Sequence, residues 1–333
     1  MEKGWTGLPY HTISEHFKRI FNEKVYKIPV AIVDDCPNRM GLKGMKTCSF
    51  CDVWGSAARS EAFQMPLTVQ IENYRSHIKK KYKAQKFLVY FQAYTNTFTK
   101  VSSLRENFET ALQYSDVVGF VLGTRPDCLS ESVLDLWREY CLKSFVSVEL
   151  GVQSFFNEHL EFMRRGHSAE DSIRAIEKIA QKTPVDLGIH LIFGSPHETD
   201  EQIKETARLC NNLPIQHVKL HNLHVLKNTE LERLFYLGEF KPIELDEYSR
   251  RVELFLSYLH PRIAIHRLTA YSSRWEELIA PRWTADKMGP HQAIIDHMRL
   301  LGIYQGCQIS HQASHDSQLF RQMSERVVRS GSI

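Results

Sequence analysis

Short runs of β-branched and aromatic residues alternate along the chain with longer segments of helical period. Strand-like runs fall at 28–33, 87–92, 117–122, 145–150, 185–193 and 217–225. Between them the 3.6-residue pattern predicts helices over 67–81, 101–114, 129–141, 169–181 and 199–212. Two of these helices carry start signals of the capping-box kind, Ser168-x-x-Asp171 and Thr199-x-x-Gln202. Strand–helix alternation repeated this often implies a parallel sheet with right-handed crossovers. Six units predict an α/β fold of the TIM-like kind, an incomplete (β/α)6 barrel. The pattern changes beyond residue 240: a helix is predicted over 245–259, one more strand over 262–268 and a helix over 291–301. The expected organisation is a helical lead-in over 1–25, a barrel core over 26–240, an extension packed on the barrel over 241–311 and a mobile polar tail over 312–333.

Parallel barrels gather their chemistry at the C-terminal ends of the strands, where the βα loops converge. The unusual residues of this sequence fall at those ends. A cysteine loop follows the first strand, 92–96 the second and 123–128 the third. The fourth run closes on 149–153, the fifth on 194–198, and His221 and His224 lie in or after the sixth. Polar or glycine-rich strand ends in register predict one site.

Composition narrows the setting. With 43% hydrophobic residues, 333 residues can bury one large core or two ordinary ones. No run approaches the roughly 18 apolar residues a membrane helix needs, and the first ten residues lack an apolar signal core. A cytoplasmic protein is expected, which suits seven cysteines that cannot all pair within one chain. The net charge of +3 implies no strong electrostatic partner. The local exception is the basic run of Arg75, Lys79, Lys80, Lys81, Lys83 and Lys86, either a solvated helix end or a nucleic-acid contact.

Three of the seven cysteines, Cys36, Cys48 and Cys51, lie within sixteen residues in a loop rich in Gly, Pro, Asn and Lys. A structural zinc site would fill four positions with protein groups, whereas a catalytic centre leaves one open. After Cys51 the next cysteine is Cys128, so no second pair completes a zinc ribbon. The triad favours a three-thiolate iron–sulfur centre over zinc or unrelated buried thiols.

This triad, with aromatic Phe50 before its last cysteine, resembles the radical S-adenosylmethionine (radical SAM) superfamily. Three residues usually separate the first two cysteines there; here eleven separate Cys36 from Cys48. That spacing and the opening Cys36-Pro37-Asn38-Arg39 resemble the YhcC/YtqA-type branch, related to the elongator catalytic subunit. The likeness continues through 90–98, 123–128, 149–153, Arg165-Gly166-His167, 190–194 and 219–221. It implies a [4Fe–4S] cluster on Cys36, Cys48 and Cys51, with SAM chelating the fourth iron. It also implies a 5′-deoxyadenosyl radical that abstracts hydrogen, fed by an external one-electron reductant such as flavodoxin or ferredoxin. Lys43 and Lys46 are expected to offset the cluster's charge.

By the same resemblance Gln92, Thr124, Glu149, Gln153 and Arg165 are the expected SAM contacts. Glu149 would take over a ribose contact that the elongator relatives make from the position of Gly123. His197 replaces a turn glycine, and Asn157 stands where relatives often carry Asp. Cys128, His190, His221 and His224 are the candidates on the substrate side. Arg274, Trp275, Arg282 and Trp283 are candidates to stack on a base. The implied substrate is a tRNA nucleoside at its wobble-uridine side chain, some YtqA-like members being associated with carboxymethylaminomethyl-uridine. A small metabolite or peptide substrate, and a non-catalytic Fe–S or zinc RNA-binding protein, are the other readings.

Overall fold

The structure, a computed structural model, describes residues 7–33, 35–52, 65–272 and 274–309. Six strands follow the expected order: β1 (Val25–Val30), β2 (Lys86–Phe91), β3 (Val117–Thr124), β4 (Phe145–Gln153), β5 (Asp186–Phe193) and β6 (His217–Asn222). Each pairs in parallel with its sequence neighbour. The short β7 (Val225–Leu226) leaves this sheet and pairs antiparallel with β9 (Leu278–Ala280). A seventh parallel strand, β8 (Ala264–Ile265), adds to β6, so the curled sheet runs β1-β2-β3-β4-β5-β6-β8. The barrel remains open between β1 and β8.

Ten helices are described: α1 (Ile13–Phe21), α2 (Leu67–Tyr82), α3 (Val101–Leu112), α4 (Glu131–Cys141), α5 (Asn157–Phe162), α6 (Ala169–Lys182), α7 (Asp200–Asn212), α8 (Glu230–Tyr236), α9 (Leu245–Tyr258) and α10 (Gly289–Leu300). Both expected capping boxes form, at Ser168 and Thr199, and a third opens α1 at Thr12 with Glu15. Each satisfies backbone donors that a helix start would otherwise leave orphaned.

The run read as one strand over 217–225 divides after Asn222, whose side-chain oxygen accepts from the Ala270 amide at 2.9 Å. The strand read over 262–268 is formally two residues long. Even so, His266 N still donates to Val218 O at 2.9 Å, and Leu220 N donates to Arg267 O at 3.3 Å. The segment past β8 therefore stays against β6.

Alternation along the strands sorts the side chains. Outward residues such as Phe91, Phe120, Val148, Ile189 and Leu220 join Phe108, Trp137 and Tyr140 of the helices in the main core. The inward face closes differently at its two ends. At the floor, Phe17 of α1 packs with Leu88, Tyr90 and Val121, and Phe21 with Phe145 at 5.1 Å between rings. Full burial of such a ring, as at Phe17, contributes about 1.5–3 kcal/mol; half-buried Phe21 contributes less. Polar groups pin the same plug: His16 bonds Asp186 at 2.7 Å, and Asp186 bonds His217 at 2.8 Å. The upper end is left to the loops.

The basic run sits away from that upper end. Helix α2 returns antiparallel to the strands, so its last turn, with Lys79, Lys80 and Lys81, lies at their N-terminal side. Lys79 and Arg75 both pair with Asp116, just before β3, at 2.5 and 2.9 Å. These contacts match the solvated-helix-end reading of the run. The tail over 312–333 lies outside the described residues.

Candidate cluster and cofactor site

After β1 the chain turns into the cysteine loop, folded by its own backbone bonds: Met40 N to Cys36 O at 3.1 Å and Cys51 N to Cys48 O at 3.0 Å. Asn38 holds the two arms together, its Nδ2 donating to Lys46 O at 3.0 Å and to Arg164 O at 2.7 Å. Cys36 and Cys48 are buried and Cys51 is half-buried. Burial, then the neighbouring Cys48 and Cys36 sulfurs, pushes the Cys51 thiol up to about 12. Crowding three thiols raises the cost of ionising them, and bound metal would remove that cost.

Donors are aimed at the sulfur. Arg165 donates through Nη1 to Cys48 Sγ at 3.2 Å and through Nη2 to Gly151 O at 3.0 Å. The Asn38 amide lies 3.5 Å from the same sulfur. Arg165 is buried, and its Nε has no hydrogen-bond partner among the described residues. It is therefore not a surface salt-bridge residue but a guanidinium held against a thiol. Of the loop lysines, Lys46 is exposed and does not supply this cationic contact.

Gln153 stands beside Arg165. A side chain at Gly151 would come within 2.9 Å of Gln153 Nε2 and 3.2 Å of Arg165 Nη2, so glycine leaves room for both. Gln153 ends β4 with φ +71, turning the strand just where register shifts against β5. Arg125 braces the far side, donating to Arg165 O at 2.6 Å and gripping Asp127 with two bonds of 2.8 and 2.9 Å. Thr124 shares its hydroxyl with Thr97 at 2.5 Å. Asn96 ties the ends of β2 and β3, donating to Phe91 O at 2.7 Å and Gly123 O at 2.8 Å. Gln92, whose amide bonds Val30 O at 3.1 Å, belongs to the same rim. A Cβ at Gly123 would lie 3.4 Å from the Gln92 carbonyl, an ordinary contact, so the backbone itself leaves room for a side chain there.

The turn after β5 takes the shape a glycine would give. His197 adopts φ +58, and Gly194 donates its amide to Glu198 at 2.9 Å. Asn157 uses its carbonyl oxygen to accept from Ala169 N at the start of α6, at 2.8 Å. An Asp there would serve the same backbone donor.

Glu149 lies lower, in a polar layer across the lumen. Its carboxylate accepts from Lys27 at 2.5 Å, Lys219 at 3.1 Å and the Tyr90 hydroxyl at 2.7 Å, and it lies 2.6 Å from His190 Nε2. Burial works against the charge, but Lys219 and Lys27 outweigh it and hold Glu149 well below the usual carboxylate range. Sequence reading gave neither lysine a role, although Lys219 lies in the 219–221 match, because each, taken alone, looks like a surface residue interrupting a strand. His190 and His221 face each other at 5.2 Å between rings. Cys128 lies in the loop after β3, Sγ 3.9 Å from Asp127 Oδ1, its thiol pushed up to about 12 by burial and by Asp127.

Burial, then Lys219, lowers His190 to about 4; burial, then Arg267, lowers His224 to about 4. Unfolded, each imidazole takes its proton near 6.5. The unfolded chain thus binds more protons between those values. Stability from both residues is present above pH 6.5 and is lost as pH falls toward 4, by at most about 1.4 kcal/mol per unit per group. Melting temperature is expected to fall steeply over this window, and His190→Gln to flatten the slope. A profile unchanged in the variant would contradict the assignment.

The extension meets the cysteine loop directly. Arg274 pairs with Asp52, next to Cys51, and with Glu277 at 3.1 Å. Trp283 is committed to packing, with its Nε1 on Ile243 O at 3.1 Å and its ring against Tyr248. Trp275 is exposed. Beside Cys48 and Cys51 opens a recess of about 410 Å³, lined also by Arg39, Thr47, Asp52, Arg164 and Asn228 to Glu230. Among the described residues, no three His, Cys, Asp or Glu side chains converge on a point where one metal ion would bind. Thiolates of a cubane cluster ligate separate irons and are spread wider than the ligands of one zinc.

A curled parallel sheet with a cysteine loop at the end of its first strand defines a cofactor-dependent barrel of one class. The chain belongs to the radical SAM superfamily, whose model matches residues 32–210, while the Radical_SAM C-terminal domain matches 215–299. Its cofactors are those of the family, a [4Fe–4S] cluster and SAM. YtqA of Bacillus subtilis is 33% identical over 297 residues, 89% of this chain and 92% of YtqA. The tRNA uridine(34) acetyltransferase of Methanocaldococcus infernus is 33% identical over 133 residues, 39% of this chain and 24% of that protein. In fold, the archaeal Methanocaldococcus infernus Elp3 matches with a TM-score of 0.64 at 19% identity, over 84% of this chain and 64% of Elp3. Among the described residues no helix is long and apolar enough to cross a membrane.

Proposed function

We propose that this protein is a cytoplasmic radical SAM enzyme that modifies a tRNA nucleoside, with the wobble-uridine side chain as its target. One observation carries the chemical part: a buried guanidinium, with no carboxylate partner among the described residues, rests on a sulfur of the cysteine loop and keeps one N–H unsatisfied. Such a group suits an anionic thiolate-ligated cluster and a carboxylate bound next to it. Cys36, Cys48 and Cys51 are the ligands in this reading. Arg165, Gln153 and the Gln92 and Thr124 rim hold SAM.

Held by these residues, the cluster and SAM would supply one-electron reductive cleavage of SAM and, through it, hydrogen abstraction from an unactivated C–H bond. The protein's own residues do the rest. Arg165 fixes Cys48 and leaves Nε for an acceptor; Arg125 and Asn96 keep the rim rigid. Glu149 keeps Lys27 and Lys219 in place under the site, as a positioning residue, and so departs from the ribose contact expected of it. His190 and His221, neutral at pH 7, offer hydrogen bonds to substrate, with Cys128 as a further thiol near the rim. The tRNA assignment is supported by the likeness to the uridine(34) acetyltransferase. That match spans a quarter of the relative, and acetyl transfer is not carried over.

The test is anaerobic reconstitution with iron and sulfide, then SAM and a flavodoxin or ferredoxin reductant, with and without bulk tRNA. The expected result is 5′-deoxyadenosine whose formation rises with tRNA, together with a new nucleoside mass. Cleavage indifferent to tRNA would overturn the substrate; no cleavage by a verified four-iron protein would overturn the enzyme class.

A further inference from the structure

The inward face of β6 shows that the barrel is hollow above its floor. Val218, Leu220 and Asn222 are buried, whereas Lys219 and His221, on the alternate positions, keep accessible surface. Protein surrounds these inward side chains, so that surface belongs to the lumen. Lys219 keeps 11% of its side chain accessible and His190 keeps 16%.

Charge in this lumen does not balance. Lys27, Lys219 and Arg267 are cationic; among the described residues Glu149 is the carboxylate paired with the two lysines, and Asp186 at the floor is committed to His16 and His217. Both oxygens of Glu149 are already taken by the two lysines. Arg267 has no carboxylate partner among the described residues. Its Nη2 lies 2.7 Å from Nδ1 and 3.1 Å from Nε2 of His221, a contact that neutralises nothing, because burial and then Arg267 itself hold His221 far below its ordinary value. Among the described residues Arg267 Nε is without a partner, and so is Nδ1 of neighbouring His224. An enclosed guanidinium left in this state is destabilising unless an anion joins it.

The backbone holds this guanidinium at a fixed height. Arg267 O accepts from Leu220 N at 3.3 Å, and the next carbonyl, Leu268 O, accepts from the Tyr248 hydroxyl at 2.6 Å. Arg267 meets His221, on β6 near its C-terminal end and one inward position above Lys219. That places it one layer above Glu149, toward the mouth where Arg165 and the cysteine loop lie. A planar fork with a free Nε, flanked by neutral imidazoles that can donate, matches two oxygens of an oxyanion.

The geometry points to Arg267, with His221 and His224, as the binding site for an anionic group of the substrate, a carboxylate or a phosphate, held in the lumen below the cofactor. The site rests on the substrate reading above, but the anion itself can be tested without RNA. Reconstituted holoenzyme is melted in sodium acetate, in inorganic phosphate and in sodium chloride at matched ionic strength, as wild type, Arg267→Gln and Arg267→Lys. Acetate or phosphate is expected to raise the wild-type melting temperature above the chloride value, with affinity at least about tenfold weaker in Arg267→Gln and partly kept in Arg267→Lys. Acetate acting alone assigns a carboxylate; phosphate acting alone assigns a backbone or ester phosphate. Equal stabilisation of wild type and Arg267→Gln, or none in wild type, would overturn the site. Should Arg267→Gln fail to fold, bromide soaked into wild-type holoenzyme crystals is expected to give an anomalous peak at the guanidinium, and an empty site refutes the proposal. Binding of acetate through Arg267 beside tRNA-indifferent SAM cleavage would leave the anion site standing and remove the wobble-uridine reading alone.

Discussion

Cys48→Ala is expected to abolish the brown iron–sulfur absorbance of the reconstituted protein and, with it, all SAM cleavage. Of the three loop thiols Cys48 is the most tightly held: buried, 3.2 Å from Arg165 and 3.5 Å from Asn38. Its loss removes one of three ligands and leaves Arg165 facing a void, so neither metal affinity nor the guanidinium's position survives. Cys128→Ala is the matched control, since that thiol is a bystander to cluster assembly in this scheme. Iron and sulfide analysis alongside the spectrum separates a lost cluster from a bleached one. Four irons per chain retained in Cys48→Ala would refute the ligand assignment outright.

The second large effect is on stability. Glu149→Gln keeps the shape of the side chain but strips two enclosed lysines of their counter-ion. Removing one partner of a buried ion pair costs about 3–5 kcal/mol, because the remaining charge is left uncompensated. Burial already lowers Lys219 to about 8 with Glu149 in place. Without the carboxylate it is expected to lose its proton near neutral pH. Thermal unfolding of Glu149→Gln should fall by roughly 10 °C. The double variant with Lys219→Met should recover part of that loss, giving a coupling energy of about 1 kcal/mol or more. A melting temperature within a degree or two of wild type would mean that water in the lumen, rather than Glu149, solvates the lysines.

Much of this fold was legible because its outward strand faces are apolar and its helices obey the 3.6 period. The six parallel strands, seven of the helices and two capping boxes follow from local pattern alone. The short helices α5 and α8 were missed, since six or seven residues carry too few turns for a period to register. Strand β6 was drawn too long because apolar residues continue past Asn222 into β7, and only the tertiary bond from Ala270 shows where the sheet ends. The cysteine triad stood out through spacing. Arg165 was legible as a cofactor residue, but its contact with Cys48 spans 117 positions and leaves no local trace. The lumen was legible only in part: Glu149, His190 and His221 stood out as strand-end candidates. Lys27, Lys219 and Arg267 look like solvated charges one by one, and only closure of the sheet turns them inward beside Glu149. Their pattern in sequence, a charged residue at an inward position of an otherwise apolar strand, was the available signal.

The plug formed by α1 has a kinetic consequence. With Phe17 and Phe21 filling the floor, the lumen is closed at that end. Whatever reaches it enters by the rim of βα loops or by the open seam between β1 and β8. Substrate and spent product then share the side of the barrel that faces the cysteine loop, and turnover depends on how fast that side clears.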